Sequence, residues 1–377
     1  YFILNQNRIL VDAEAFKRRL EEIIPKAKET VYVQAMTFEG DEVGKWLMGL
    51  LLKSTAKEIR LCIDSYSKFV INDCFVFSPK YLFDQTFRQE VKETRTLLKL
   101  AKENGIKVKV TNPLGFLFHK YPFRNHKKIV TVDDVSYLGG INFSEHNFLW
   151  HDMMIEIHDI HINRLLKEDI NQTFDGINQN ETVNIGESQL YFLDGWRSRK
   201  KYEDIFSSLK KAKKSIHIFS PYISDPLLTF IKENVNPNVE LNIISPKQNN
   251  KTLFKSILQN EFLKGHFSLW LYQNRMSHLK AILVDGEVLI TGSSNFDFVS
   301  YYFEQEVVLV SRDKKIVSDF EEYVKTPDLQ NSKLLSKTGI TKDHSSQLIY
   351  FIVKNSCRIL ASIYNSLRLN SKNSKGI

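Results

Sequence analysis

The chain has 377 residues, 42% of them hydrophobic and 25% charged, which supports a sizeable folded core and excludes a disordered or low-complexity chain. Lys and Arg outnumber Asp and Glu by 52 to 44, a formal charge of +8. That excess favours anionic partners such as phospholipid surfaces, nucleic acids or phosphorylated metabolites, without singling one out.

Residues 12–28 (DAEAFKRRLEEIIPKAK) carry an amphipathic helical pattern. The strand-like TVYVQAM follows at 30–36, a second helical stretch at about 41–52, and the strand-like IRLCID at 59–64. A third helix at about 84–104 leads to KVKVT at 107–111. Much later the same order returns: a helical 194–213, SIHIFSPYI at 215–223, a helix near 226–233, VELNII at 239–244, a helix at 250–264 and FSLWLY at 267–272. Strands alternating with helices predict sheets of mostly parallel strands with helices on their faces. A period near 180 residues is too long for a solenoid and reads as a duplicated domain. The first half is expected over 1–177 and the second over 187–325.

After Lys325 the repeat stops. Residues 326–344 read as a polar, loose linker, and 345–369 as another helix. Its apolar positions are Ile349, Ile352, Val353, Leu360, Ile363, Tyr364 and Leu367, with Lys354, Arg358 and Arg368 among them. Two readings stay open: a helix packed on the core, or a basic amphipathic helix lying on an anionic membrane.

Cys62, Cys74 and Cys357 match neither a zinc site nor a disulfide framework, and a reducing compartment is the simplest fit. No apolar run of about 18 residues predicts a membrane span. The chain begins at Tyr1 rather than Met, which leaves a preceding signal or anchor open.

Chemistry concentrates in two segments, HKKIVTVDDVSYLGGIN at 126–142 and HLKAILVDGEVLITGSSN at 278–295. Each reads His-x-Lys, four residues, Asp, a short strand, a small-residue turn, then Asn. Residues two apart on a strand face the same side, so His126 and Lys128 can share a cavity, as can His278 and Lys280. Asp133 and Asp285 fall at hairpin turns. The returning strands bring Asn142 and Asn295 back toward the histidines. A single His-x-Lys carries no weight; two matched copies in a duplicated chain do. The set suits a phosphodiester. Lysines and asparagine amides hold the non-bridging oxygens. One histidine attacks phosphorus and the other serves as acid and base. A carboxylate on the far ring nitrogen would orient each histidine, with Asp152 and Glu306 as candidates. Neither a metal nor another cofactor is required.

These segments resemble the paired HKD motifs of the phospholipase D superfamily, over roughly residues 12–324. The resemblance implies an α/β fold of two α/β/α halves about a pseudo-twofold axis, with one shared active site. It implies that His126, Lys128 and Asn142 form one half-site and His278, Lys280 and Asn295 the other. Asp133 and Asp285 match the motif aspartates, which support the motif fold more than they touch phosphate. Within the superfamily the context is most similar to cardiolipin synthases, through Gly139, Gly140, Ile141 and Asn142, then Trp150, His151 and Asp152, with Ser300 and Glu306 in the second half. His151 stands where Arg is usual, Glu304 where Asn is usual, and two N-terminal membrane helices typical of bacterial cardiolipin synthases are absent from this sequence. By the same resemblance His126 is the nucleophile and His278 the acid and base.

The expected activity is phosphatidyl transfer through a phosphohistidine. A phospholipase D hydrolase, or a phosphodiesterase or nuclease of the same superfamily, is the alternative. Expected partners are a phospholipid substrate and an anionic membrane surface, met from the cytoplasmic face or as a peripheral protein. Nucleic acid enters only under the alternative, and no obligate protein partner is evident. The aromatic stretches 65–83 and 112–123 are open to two readings, contact with acyl chains or packing under the domain interface. His119 and His146 read as structural or solvent-facing.

Overall fold

A computed structural model describes residues 7–81 and 83–373. Residues 1–6 and 374–377 of the expected domains, and the side chains of Leu367 and Arg368, lie outside the described residues.

The first copy supplies β1 (Arg8–Val11), β2 (Thr30–Ala35), β3 (Glu58–Asp64), the two-residue strands β4 (Val70–Ile71) and β5 (Cys74–Phe75), β6 (Lys107–Thr111), β7 (Ile129–Val132), β8 (Val135–Gly139) and β9 (Met153–Ile157). The second supplies β10 (Glu181–Ile185), β11 (Ser188–Leu193), β12 (Ser215–Phe219), β13 (Glu240–Pro246), β14 (Ser268–Tyr272), β15 (Ala281–Val284), β16 (Val288–Gly292) and β17 (Glu306–Ser311). A further strand, β18 (Ser332–Leu334), follows the repeat.

The first sheet runs β1-β9-β8-β7-β2-β3-β6, and the second β10-β11-β17-β16-β15-β12-β13-β14-β18. Seven positions correspond, from β1 and β11 at one side to β6 and β14 at the other. The second sheet adds a strand at each edge, which covers backbone groups that would otherwise be unpaired.

The expectation of mostly parallel strands is corrected. Only β2-β3-β6 and β12-β13-β14 pair in parallel. The motif hairpins β7-β8 and β15-β16, and β9 and β17 beyond them, run antiparallel. Helical crossovers connect only the parallel strands, whereas a tight turn forces the next strand to reverse.

Three helices of the first copy begin where an aspartate caps them. Asp41, Asp84 and Asp159 accept from backbone N–H groups at the starts of Glu42–Leu52, Gln85–Glu103 and Ile160–Phe174. The first two of these helices pack on one face of the first sheet, where Leu47, Leu51, Leu97 and Ala101 meet Val31, Val33 and Leu61. A central cluster joins the copies, with Ile129, Ile155 and Leu166 of the first against Phe219, Leu309 and Phe320 of the second. Burial of this apolar seam, at roughly 25 cal/mol per Å², holds the two motif hairpins in a fixed relation.

The linker expected at 326–344 is ordered over its first part and irregular over 335–343. Thr326–Gln330 is helical and β18 pairs with β14. The final helix, His344–Asn373, packs on the Thr252–Phe262 and Phe298–Tyr302 helices. Tyr350 and Lys354 both donate to Oδ2 of Asp225, at 2.9 and 2.7 Å. Leu348, Phe351, Ile352, Ile359 and Ile363 remain exposed on it. The helix is thus packed on the core along one side, and its other side is apolar and exposed. No helix among the described residues is long and apolar enough to cross a membrane.

Candidate active site

The two motif hairpins meet where the halves join. Two isolated bridges cross between the copies, Asn125 with Gln305 and His151 with Ser277. The His126 N–H donates to the Gln305 carbonyl at 2.9 Å, and the His278 N–H to the His151 carbonyl at 2.7 Å. Each pair links the residue before a motif histidine to the residue before a carboxylate, so the contacts themselves obey the pseudo-twofold relation.

His126, Lys128, Asn142, His278, Lys280 and Asn295 are all buried, none more than 6% exposed. The orienting carboxylates cross between the copies. Glu306 Oε1, from the second copy, lies 3.0 Å from Nδ1 of His126. Asp152 Oδ2, from the first, lies 2.8 Å from Nδ1 of His278. An ionised carboxylate only accepts, so the proton sits on Nδ1 and Nε2 of a neutral ring is left with its lone pair. Burial opposes ionisation of Asp152, but Lys280 and His278 outweigh it and hold its pKa below the ordinary value. Glu306 is likewise lowered against burial, by His126 and Lys128.

The lysines fold back onto their own motifs. Lys128 Nζ donates to the His126 carbonyl at 2.6 Å, and Lys280 Nζ to the His278 carbonyl at 2.5 Å. Burial, and the charge of Lys280, bring Lys128 down to about 7. Burial and the neighbouring Lys280 bring His278 down to about 3, so its ring is neutral before substrate binds. An anion between the two ammonium groups would relieve their repulsion, which is what a phosphodiester supplies.

Glycine is required beside this set. A Cβ on Gly140 would collide with the Asp152 carboxylate. The corresponding residue of the second copy, Ser293, instead donates its hydroxyl to Glu306. Asn142 accepts from the Thr37 N–H at 3.3 Å, while the side-chain oxygen of Asn295 has no partner among the described residues.

Asp133 and Asp285 are not brought to the histidines. Both sit at the far turn of their hairpins, at positive φ. Asp133 accepts from the backbone N–H groups of Lys28, Glu29 and Thr30, and Asp285 from those of Lys213, Lys214 and Ser215, all at 2.8–2.9 Å. Each pins its hairpin to the strand beside it. The copies differ in length here because β7 and β8 are joined by two residues and β15 and β16 by three.

Several neighbours were not picked out as functional in the sequence. Trp150 and Tyr222 flank the His278 ring, with centroids 4.8 and 5.9 Å away. Glu304, in the place corresponding to Trp150, lies 3.9 Å from His126 Nδ1 and accepts from the Ser300 hydroxyl at 2.8 Å. Burial raises the pKa of Glu304, with Glu306 adding to it. His126, Glu304 and Glu306 converge closely enough to ligate a cation, as do Glu39, Asp41 and Glu90. His146 lies 3.7 Å from Glu39, and His119 stacks on Tyr364. The sequence marked Trp150 within the matched context and Glu304 as a departure from it, but gave neither a role.

The aromatic stretches divide. Phe123, half-buried, packs on Phe303 and Tyr364. Phe116 and Leu117 project into solvent, 82% and 79% exposed, beside an aromatic cluster of Phe69, Phe75, Phe77 and Phe118.

Comparison with known proteins matches residues 20–174 and 205–326 to the family described as cardiolipin synthase, PLD-like domain. The chain is 23% identical over 346 residues to the probable cardiolipin synthase YwiE of Bacillus subtilis (strain 168), covering 84% of this chain and 64% of that one. It is 24% identical over 371 residues to a cardiolipin synthase of Listeria welshimeri, covering 88% and 72%. The chain thus spans about two thirds of the length of the relatives it matches. In fold it is similar to the phosphatidylserine synthase of Haemophilus influenzae Rd KW20, with a TM-score of 0.66 at 14% identity over 94% of both chains.

Proposed function

The chain belongs to the PLD-like domain family of cardiolipin synthases, and from that membership we propose that it transfers a phosphatidyl group between phospholipids through a phosphohistidine. The observation that carries the reading is the crossed arrangement of Asp152 with His278 and Glu306 with His126. It gives two oriented imidazoles, one from each copy, beside two buried lysines.

Lys128 and Lys280, with Asn142 and Asn295, hold the non-bridging oxygens and the charge that develops on them. His126 attacks through Nε2, forming the N–P bond as the P–O bond to the leaving alcohol breaks. His278 gives that oxygen its proton. The bound anion favours the protonated ring that this step needs, offsetting the burial and Lys280 charge that keep it neutral beforehand. In the second step an incoming hydroxyl loses its proton to His278, its oxygen bonds to phosphorus, and the P–N bond breaks. A lipid hydroxyl makes the reaction a transfer; water makes it a hydrolysis.

The same reading places the protein peripherally on an anionic membrane. It is supported by the exposed apolar groups of the Phe116–Leu117 tip and of the final helix. The two surfaces are tied together where the Tyr364 hydroxyl donates to the His119 carbonyl at 2.9 Å. Net positive charge adds attraction to anionic lipid.

The test is incubation with phosphatidylglycerol vesicles and mass spectrometry of the products. Cardiolipin with free glycerol is expected. Phosphatidic acid alone would make it a hydrolase, and no lipid product together with cleavage of single-stranded DNA would defeat the lipid reading.

A further inference from the structure

His151 is buried between the copies, directly before Asp152, with both ring nitrogens engaged. Nδ1 lies 2.7 Å from Oδ1 of Asp12, and Nε2 lies 3.0 and 3.2 Å from the two oxygens of Asp328. The ring stacks on Tyr272 at 4.9 Å. Ionised carboxylates at both nitrogens require donation from both, which only the imidazolium provides. Burial disfavours that charge, yet the hydrogen bonds to Asp12 and Asp328 outweigh it and raise the ring to about 9. Burial also pushes Asp328 up, against the opposing pull of His151. Arg275 adds a second cation on Asp12 and lies 3.5 Å from Glu14.

The partners come from separate parts of the chain. Asp12 opens the first helix, Tyr272 ends β14, and Asp328 lies in the short helix beyond the second copy. Main-chain bonds join this knot to the reaction centre. The Asp12 N–H donates to the Asp152 carbonyl at 2.8 Å, and the His278 N–H to the His151 carbonyl at 2.7 Å. Asp12 is held at φ +66°, a left-handed conformation that a non-glycine residue keeps only where its surroundings fix it. The corresponding place beside Glu306 holds the uncharged Gln305, so only one half-site has this arrangement.

We propose that His151 is a positioning residue for His278, a cationic clamp that ties Asp12 and Asp328 to the backbone just before β9, where Asp152 sits. The segment beyond the second copy is then part of the catalytic architecture. This rests on the reading of His278 as the acid and base. A neutral ring would donate from one nitrogen only and leave a buried carboxylate unpaired, so loss of the proton loosens the clamp.

The experiment compares wild type with His151→Arg, His151→Gln and Asp328→Asn on phosphatidylglycerol vesicles across pH, with thermal unfolding at the same pH values. Arginine can serve both carboxylates and does not titrate in this range. Wild type is expected to lose kcat as pH rises through about 9, while His151→Arg keeps its plateau. His151→Gln should lose about 10-fold or more in kcat, with KM changed less than about 2-fold. Asp328→Asn should lose kcat at a lower pH than wild type, a shift that a merely structural role would not produce. The same alkaline limb in His151→Arg and wild type, or wild-type kcat in His151→Gln, would overturn the proposal. If His151→Arg does not fold, an unshifted limb in Asp328→Asn would overturn it. Absence of lipid turnover in wild type would count against the proposed function, and the unfolding arm would still decide the clamp. Stability from a raised histidine is present below its unfolded value of about 6.5 and lost as pH rises through its folded value. Wild type but not His151→Arg should show that loss, and an equal loss in both would contradict the clamp.

Discussion

Asp152 accepts a hydrogen bond at 2.8 Å from Nδ1 of His278, a residue of the other copy. Glu306 repeats the relation in reverse with His126, at 3.0 Å. Neither copy therefore contains an oriented histidine by itself. The proposed catalytic unit requires both copies folded together.

Asp152→Asn and Glu306→Gln should each reduce kcat by about 100-fold or more, because an amide can stabilise the wrong tautomer of its histidine. Circular dichroism should be unchanged. His126→Ala and His278→Ala should abolish turnover. Near-normal kcat in either histidine variant would exclude a shared site.

Lys128, held at about 7, is neutral above that pH before substrate binds. Its hold on the anionic substrate should weaken as pH rises, so kcat/KM should fall through about 7. Lys128→Met should lower kcat/KM across the range and remove that limb, as measured by initial rates from pH 5.5 to 9.

Asp133→Ala should cost stability rather than chemistry. It removes three backbone partners, worth about 1–3 kcal/mol together. Those hydrogen bonds outweigh burial and lower the carboxyl below its usual range. Its stabilisation is present above the unfolded value of about 3.9 and is lost as pH falls through the folded value. Urea unfolding should show a lower midpoint for the variant at neutral pH. The difference should shrink in strong acid, while kcat per folded molecule stays near wild type.

Phe116→Ser with Leu117→Ser should weaken binding to anionic vesicles about 10-fold or more, since each apolar side chain inserted is worth about 1.5–3 kcal/mol. Removal of residues 345–377 should weaken it further, read by sedimentation with vesicles. Unchanged binding with a lowered melting temperature would leave the final helix a packing element only.

The duplication, the two motifs and the α/β class were legible in the sequence, because a repeated His-x-Lys with matched Asp and Asn is a local signal. The crossing of Asp152 and Glu306 was not, because it depends on how the two sheets are docked. The two motif hairpins were legible from their turn aspartates, but nothing in IVTV or AILV shows that they also join the neighbouring strands antiparallel, so the sheets were expected to be mostly parallel. Asp133 shares the motif with the histidine, yet it lies at the opposite end of a four-residue strand from it. Residues 326–334 are polar because Asp328 is buried on His151 and Ser332–Leu334 forms a sheet edge, not because they are loose.

The stereochemistry at phosphorus tests the two-step histidine relay most directly. With a phospholipid whose phosphorus is made chiral by isotope or sulfur substitution, two successive in-line displacements predict net retention of configuration. Net inversion would mean direct attack by the acceptor and would contradict the phosphohistidine.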